Sequence, residues 1–114
     1  MIEAIVIAYL ADALPCPVSG TVPPNPPETF VVVEKTGGSR VNRLDGATLA
    51  VQSYAPSIAQ AAALNLQVKA AMEAIVSLDS VSSCDLETDY NYTDTTRDRP
   101  RYQAVFNVVY YEEE

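Results

Sequence analysis

A chain of 114 residues with 48% apolar content is long enough to bury a core as one domain and too apolar to be disordered by composition. Fifteen acidic residues against seven basic ones leave a net charge of −8, which argues against nucleic-acid binding by phosphate neutralisation. The absence of histidine and of any paired nucleophile and base leaves hydrolytic chemistry without support, while only 19% charged residues, two lysines and seven tyrosines describe a surface suited to packing against other subunits.

In chain order, residues 2–14 predict a helix, because Ile2, Ile5, Val6, Tyr9, Leu10 and Ala13 recur at helical spacing. Pro15 ends it by pushing its neighbour out of helical geometry. Residues 15–28 hold six of the eight prolines. They read as a stiff surface connector inside a single domain spanning residues 1–114, with room for one short strand at Cys16 to Ser19. Phe30 to Thr36 reads as a strand, Gly37-Gly38 as a turn, and Ser39 to Leu44 and Ala47 to Tyr54 as two strands of a hairpin closed by Asp45-Gly46. Pro56 opens a long helix to about Leu78, with Leu64, Val68, Ala71, Met72 and Ile75 as its apolar stripe. Val81 to Thr93 and Arg101 to Tyr111 are two long strands joined by the polar loop 94–100. They exceed the usual strand length of about five or six, so this hairpin is expected to project beyond the body. The expected architecture is α+β, a mainly antiparallel sheet with two helices packed on it, in the order α-β-β-β-α-β-β.

The charged residues of the long hairpin are the first candidates for a site. Strict alternation puts Asp85, Glu87 and Asp89 on one strand face and Cys84, Leu86, Thr88, Tyr90 and Tyr92 on the other. Three carboxylates in a row without a tight loop are a poor calcium site. They serve better to repel edge-to-edge pairing, or to meet Arg97, Arg99 and Arg101 of a neighbouring subunit through carboxylate–guanidinium forks. Arg40 and Arg43 are candidate contacts for an acidic partner, or simple edge-strand charges. Thr36-Gly37-Gly38-Ser39 lacks the phosphate-loop pattern and precedes a strand, not a helix. No metal and no cofactor is expected. Cys16 and Cys84 read as free, buried small hydrophobes of a protein made in a reducing cytoplasm, and no run approaches the roughly 18–20 apolar residues of a membrane span.

The succession Glu34-Lys35-Thr36-Gly37-Gly38, then Asp45-Gly46-Ala47-Thr48-Leu49-Ala50-Val51-Gln52-Ser53-Tyr54-Ala55, then the long helix and the long hairpin with Arg101-Tyr102-Gln103-Ala104, resembles the tail terminator (tail completion, head–tail joining) proteins of long-tailed bacteriophages. The resemblance covers nearly the whole chain and is clearest from Val33 to Ala62. It implies a structural virion protein at the head–tail junction, with no enzymatic activity. Such a protein forms a homo-hexameric ring that caps the tail tube, ends tube polymerisation and presents the head-joining surface. The implied partners are further copies of the chain, the tail tube protein and a head-completion or connector protein, with DNA passing through the lumen without specific binding. A tube or other connector component, and a small cellular binding module displaying its Pro-rich loop, are the competing expectations.

Overall fold

The computed structural model describes residues 1–41 and 44–111. Helix α1 (Ile2–Ala13) buries Ile2, Val6 and Leu10, an i, i+4, i+8 row that Leu14 extends into the core. It stops at Leu14, whose φ of −108° and ψ of 152° are the extended geometry that a following proline imposes. The short strand expected near Cys16 exists as β1 (Val18–Ser19), parallel to Val31 and Val32 of β2 (Phe30–Val41).

Here the structure departs from the expected turns. β2 runs straight through Gly37-Gly38, and Asp45-Gly46 lies inside β3 (Leu44–Tyr54), opposite Arg40 and Ser39. No glycine among the described residues has a positive φ. Gly46 lies close to its partner strand instead: a Cβ there would lie 2.7 Å from Ser39 Oγ across the ladder, so the serine hydroxyl would have to turn aside. Between Lys35 and Gly37 the register shifts by one residue, a bulge that lets the two expected strands fuse into one.

Helix α2 (Ile58–Glu73) begins after Pro56 rather than at it. Ser57 is the N-cap, its side-chain oxygen accepting the Gln60 N–H at 3.2 Å. The Ser57-x-x-Gln60 spacing is a capping-box signature legible in the sequence. Leu64, Val68 and Met72 are buried as expected, and Ile75 is buried in the tighter turn 74–77 that ends the helix; Ala71 is only half-buried.

β4 (Val81–Asn91) and β5 (Arg101–Tyr110) complete a mixed, mostly antiparallel five-stranded sheet of order β1-β2-β3-β5-β4. The class and the order α-β-β-β-α-β-β agree with expectation, with β1 supplying one strand and the fused β2 replacing two. The projecting arm is not seen. β5 pairs with β3 along its whole length, from Arg101 opposite Tyr54 to Tyr110 opposite Asp45, so it is an interior strand.

Both helices lie on one face of the sheet. Ile2, Val6 and Leu10 from α1 and Leu64, Val68 and Met72 from α2 meet Val31, Val33, Leu49, Val51, Ala104, Phe106 and Val108 in one core. Each large aliphatic or aromatic side chain removed from water there contributes about 1.5–3 kcal/mol. Tyr9 ties the helices together, its hydroxyl donating to the Ala71 carbonyl at 2.7 Å. On the opposite face a smaller cluster forms at one end, where Phe30 and Tyr54 stack at 4.4 Å and Val22 of the connector packs with them.

Candidate functional site

The long hairpin carries the candidate charges, and its edge strand is irregular. β4 is offset twice against β5, between Val81 and Ser83 and between Leu86 and Thr88. Before the second bulge Cys84 and Leu86 sit opposite Val108 and Phe106, whose side chains face the helices. After it, Asp89 sits opposite Ala104, another residue of the helix-side core. A single inserted residue thus moves Asp89 to the face opposite the one that strict alternation assigns.

Asp89 therefore reaches α2, accepting hydrogen bonds from Asn65 Nδ2 at 2.8 Å and Lys69 Nζ at 2.9 Å. The bond from Lys69, helped by that from Asn65, holds its carboxyl below the usual carboxylate range against a smaller opposing effect of burial. Asp85 and Glu87 remain exposed. The expected row of three carboxylates is split: two point outward and one anchors the strand to its helix.

The arginines separate in the same way. Arg101 is held within the chain. Its Nε donates to the Tyr92 carbonyl at 2.7 Å, an Nη donates to the Tyr54 hydroxyl at 2.9 Å, and the guanidinium lies 4.3 Å from the Tyr92 ring centre. Arg99 is half-buried and lines a pocket of about 320 Å³ with Pro26, Pro27, Phe30, Tyr54 and Pro100. Arg97 is exposed. Their loop is well tied. Asp94 Oδ1 accepts the N–H groups of Thr96 and Arg97 at 3.1 and 3.2 Å, an Asx turn, and Asp94 and Arg99 exchange backbone bonds of 2.9 and 3.0 Å. Asp98 takes a φ of 53°, a left-handed geometry that Asp tolerates better than most residues. The structure does not bring the three arginines against the three acids within one chain.

Arg40 lies near the end of the β2–β3 ladder with its side chain 60% exposed, its Nε 3.8 Å from Asp45. Arg43 lies outside the described residues.

Two further features were not anticipated from the sequence. The sheet face away from the helices carries a polar row in which Gln52 Nε2 donates to Gln103 Oε1 at 2.9 Å and Gln103 Nε2 donates to the Tyr90 hydroxyl. Beside it Thr48 Oγ1 donates to Asn107 Oδ1 at 3.1 Å. The alternation of polar residues in β3 and β5 was the available signal. The second feature is a cleft of about 420 Å³ between α2 and β4, lined by Lys69, Glu73, Cys84, Asp85, Leu86 and Phe106. Burial, and then the neighbouring charge of Asp85, push the Cys84 thiol up to about 11, so little of the reactive thiolate exists at neutral pH. Cys16 is shifted upward by burial as well, and neither thiol is bonded to the other. Among the described residues no group of three His, Cys, Asp or Glu is placed to hold a metal ion, and no helix is long and apolar enough to cross a membrane. The site presents exposed charge, a polar sheet face and an acid-rimmed cleft.

No protein-family model matches the sequence, and no curated protein resembles it significantly. Among solved structures, the fold is similar to a chain in the virion of a native gene transfer agent particle. The two share 18% identity with a TM-score of 0.64, over 95% of this chain and 85% of that one.

Proposed function

We propose that this chain is a structural virion protein of the tail-terminator type, assembling as a ring on the end of a tail tube, ending its growth and presenting the face that joins the head. The observation that carries the reading is the likeness in fold, over 95% of this chain, to a chain of a gene transfer agent virion. The sequence resemblance from Val33 to Ala62 to tail terminators points the same way. The site geometry supports assembly rather than turnover, since its polar groups hold the fold or face outward.

In this reading the partners are other copies in a homo-hexameric ring, the tail tube protein and a head-completion or connector protein. DNA passes through the lumen without adhesion, as the net charge of −8 favours by repulsion. Exposed Asp85, Glu87 and Arg97, with half-buried Arg99, contact other copies or virion partners. Asp89 and Arg101 keep their part of the hairpin in shape beneath those contacts.

The test is the mass of the purified protein by sedimentation over a wide concentration range, with electron micrographs of the same sample and of the protein mixed with tail tube protein. Rings of about six copies, alone or capping tubes, are the expected result. Unlimited tubes of this chain alone would make it a tube component. A strict monomer that neither binds nor caps tubes would overturn the reading.

A further inference from the structure

We propose that the sheet face away from the helices is a pairing surface for a second copy of this chain, with Tyr92 of each copy seated in a glycine-floored hollow of the other. The contact goes beyond the ring reading and does not depend on it.

The hollow, about 390 Å³, lies where β2, β3 and β5 run side by side, and Gly37, Ser39, Gly46, Thr48, Asn107 and Val109 are in its lining. Ladder pairing sets Gly37 beside Thr48, Thr48 beside Asn107, and Gly46 beside Val109. The intervening Ala47, Leu49, Phe106 and Val108 belong to the core under the helices, so these residues face the other way. Two glycines bring no side chain to the floor, and a strand glycine often marks a place where another group comes close. Ser39 and Asn107 stand exposed in the lining, with a hydroxyl and an amide to offer.

The other end of the same face carries the knob. Tyr92 follows β4 and stands beside Arg101, whose carbonyl accepts its N–H at 2.8 Å. Arg101 lies opposite Tyr54, which stacks on Phe30 on this face. Tyr92 is 44% exposed, yet its ring is held: the Arg101 guanidinium lies 4.3 Å from its centre and Tyr90 meets it edge-on at 5.7 Å. Tyr90, also exposed, has its hydroxyl bonded to Gln103. Val41 and Tyr111 lie at the hollow's own end, and the remaining exposed large apolar side chains among the described residues belong to the helix side.

Charge selects both the face and its alignment. Between knob and hollow, β3 and β5 present Ala50, Gln52, Gln103 and Val105, none of them charged. Glu34, opposite Ala50, and Asp85, opposite Asn107, lie at the sides of this strip, and Arg101 lies at the Tyr92 end. A chain of net charge −8 approaches its own copy most readily over such a strip. With ends exchanged, the Arg101 end of each copy lies over the Asp85 end of the other. With like ends together, Arg101 lies over Arg101 and Asp85 over Asp85, which like-charge repulsion disfavours.

Knob and hollow share one face, so a two-fold axis midway between them seats both tyrosines at once and the pair closes at two copies. Such pairs can be built into a ring with an even number of copies, so the contact neither needs a ring nor forbids one.

The test is sedimentation equilibrium of the full chain, with native mass spectrometry of mixtures. Wild-type chains are expected to pair. Tyr92→Ala removes the knob and Gly37→Leu fills the hollow, and each should weaken pairing by about tenfold or more. Leucine fits at position 37, where a Cβ would meet Thr48 at 3.8 Å and φ is not positive. Mixing the two variants should restore pairing as mixed pairs, because Tyr92 of the Gly37→Leu chain finds the open hollow of the Tyr92→Ala chain. That rescue also shows that both variants are folded. A wild-type chain that stays single at every concentration, variants that pair as well as wild type, or weakened variants that mixing does not rescue would each overturn the contact. Rings that both variants leave unchanged would overturn it and leave the ring reading standing. Pairs rescued by mixing, with no ring alone or on tubes, would support it and overturn the ring reading.

Discussion

β4 and β5 are two strands of one hairpin, 11 and 10 residues long, and they obey different rules. β5 has a neighbour on each side, and its alternation is clean: Ala104, Phe106, Val108 and Tyr110 are all buried on the helix side. β4 is paired on one side only, is offset twice, and buries fully only Val81. A strand locked between two ladders cannot absorb an extra residue without breaking both. An edge strand can, and bulges with outward acids there also discourage indiscriminate pairing with other chains. Burial and exposure are thus divided between the two strands: β5 carries the core, and β4 presents charge and a cleft.

Substitution should reproduce that division. The largest effect is expected for Phe106→Ala in β5, which is 2% exposed and should cost about 3–5 kcal/mol. Leu86→Ala, opposite it in β4 and 45% exposed, should cost less than about 1 kcal/mol. Chemical denaturation of both variants measures the contrast, and equal costs would erase it.

A smaller effect is expected at the end of the hairpin. Arg101→Ala removes two hydrogen bonds and the stacking on Tyr92, and should cost about 1–2 kcal/mol. The loss should be local, with faster hydrogen exchange at Tyr92, Asp94 and Arg99 and unchanged protection in β5 beyond Gln103. Uniformly faster exchange would show instead that the loop and the sheet open together.

The smallest effect is expected where β4 touches α2. Asp89→Asn keeps the shape but weakens the bond to Lys69, a pair with side chains 28% exposed, and should cost under about 1 kcal/mol. The sign of its pH dependence follows from the lowered carboxyl pKa. The unfolded chain takes up the proton first, near the ordinary value of about 3.9. The stabilisation is therefore complete above that pH and is lost as pH falls through the lower folded value. The wild-type and Asp89→Asn stabilities should converge on acidification below pH ~4. A gap that stayed constant through this range would mean that the carboxylate charge contributes nothing.

The candidate site was half legible in advance. Asp85, Glu87, Arg97 and Arg40 are exposed charges, as their residue types and positions implied. Asp89 and Arg101 looked the same in sequence and turned out to be internal ties, because a bulge reversed one and two tyrosines captured the other. The cleft was invisible, since its lining comes from α2, β4 and β5 and no local pattern records how closely those elements approach.

By itself the sequence determined the class of fold, the order of elements, the stop of α1 at Pro15 and the buried rows of both helices, because these rest on short-range sterics and on the 3.6- and 2-residue periods. It did not determine where a strand bends or which way a charged residue on it points. The extended run through Gly37-Gly38 was decided by pairing with Thr48 and Ala47, the inward turn of Asp89 by a partner strand that tolerated one extra residue, and the capture of Arg101 by Tyr54, 47 positions away. Those outcomes depend on which backbones lie side by side, and side-by-side placement exists only once the chain has folded.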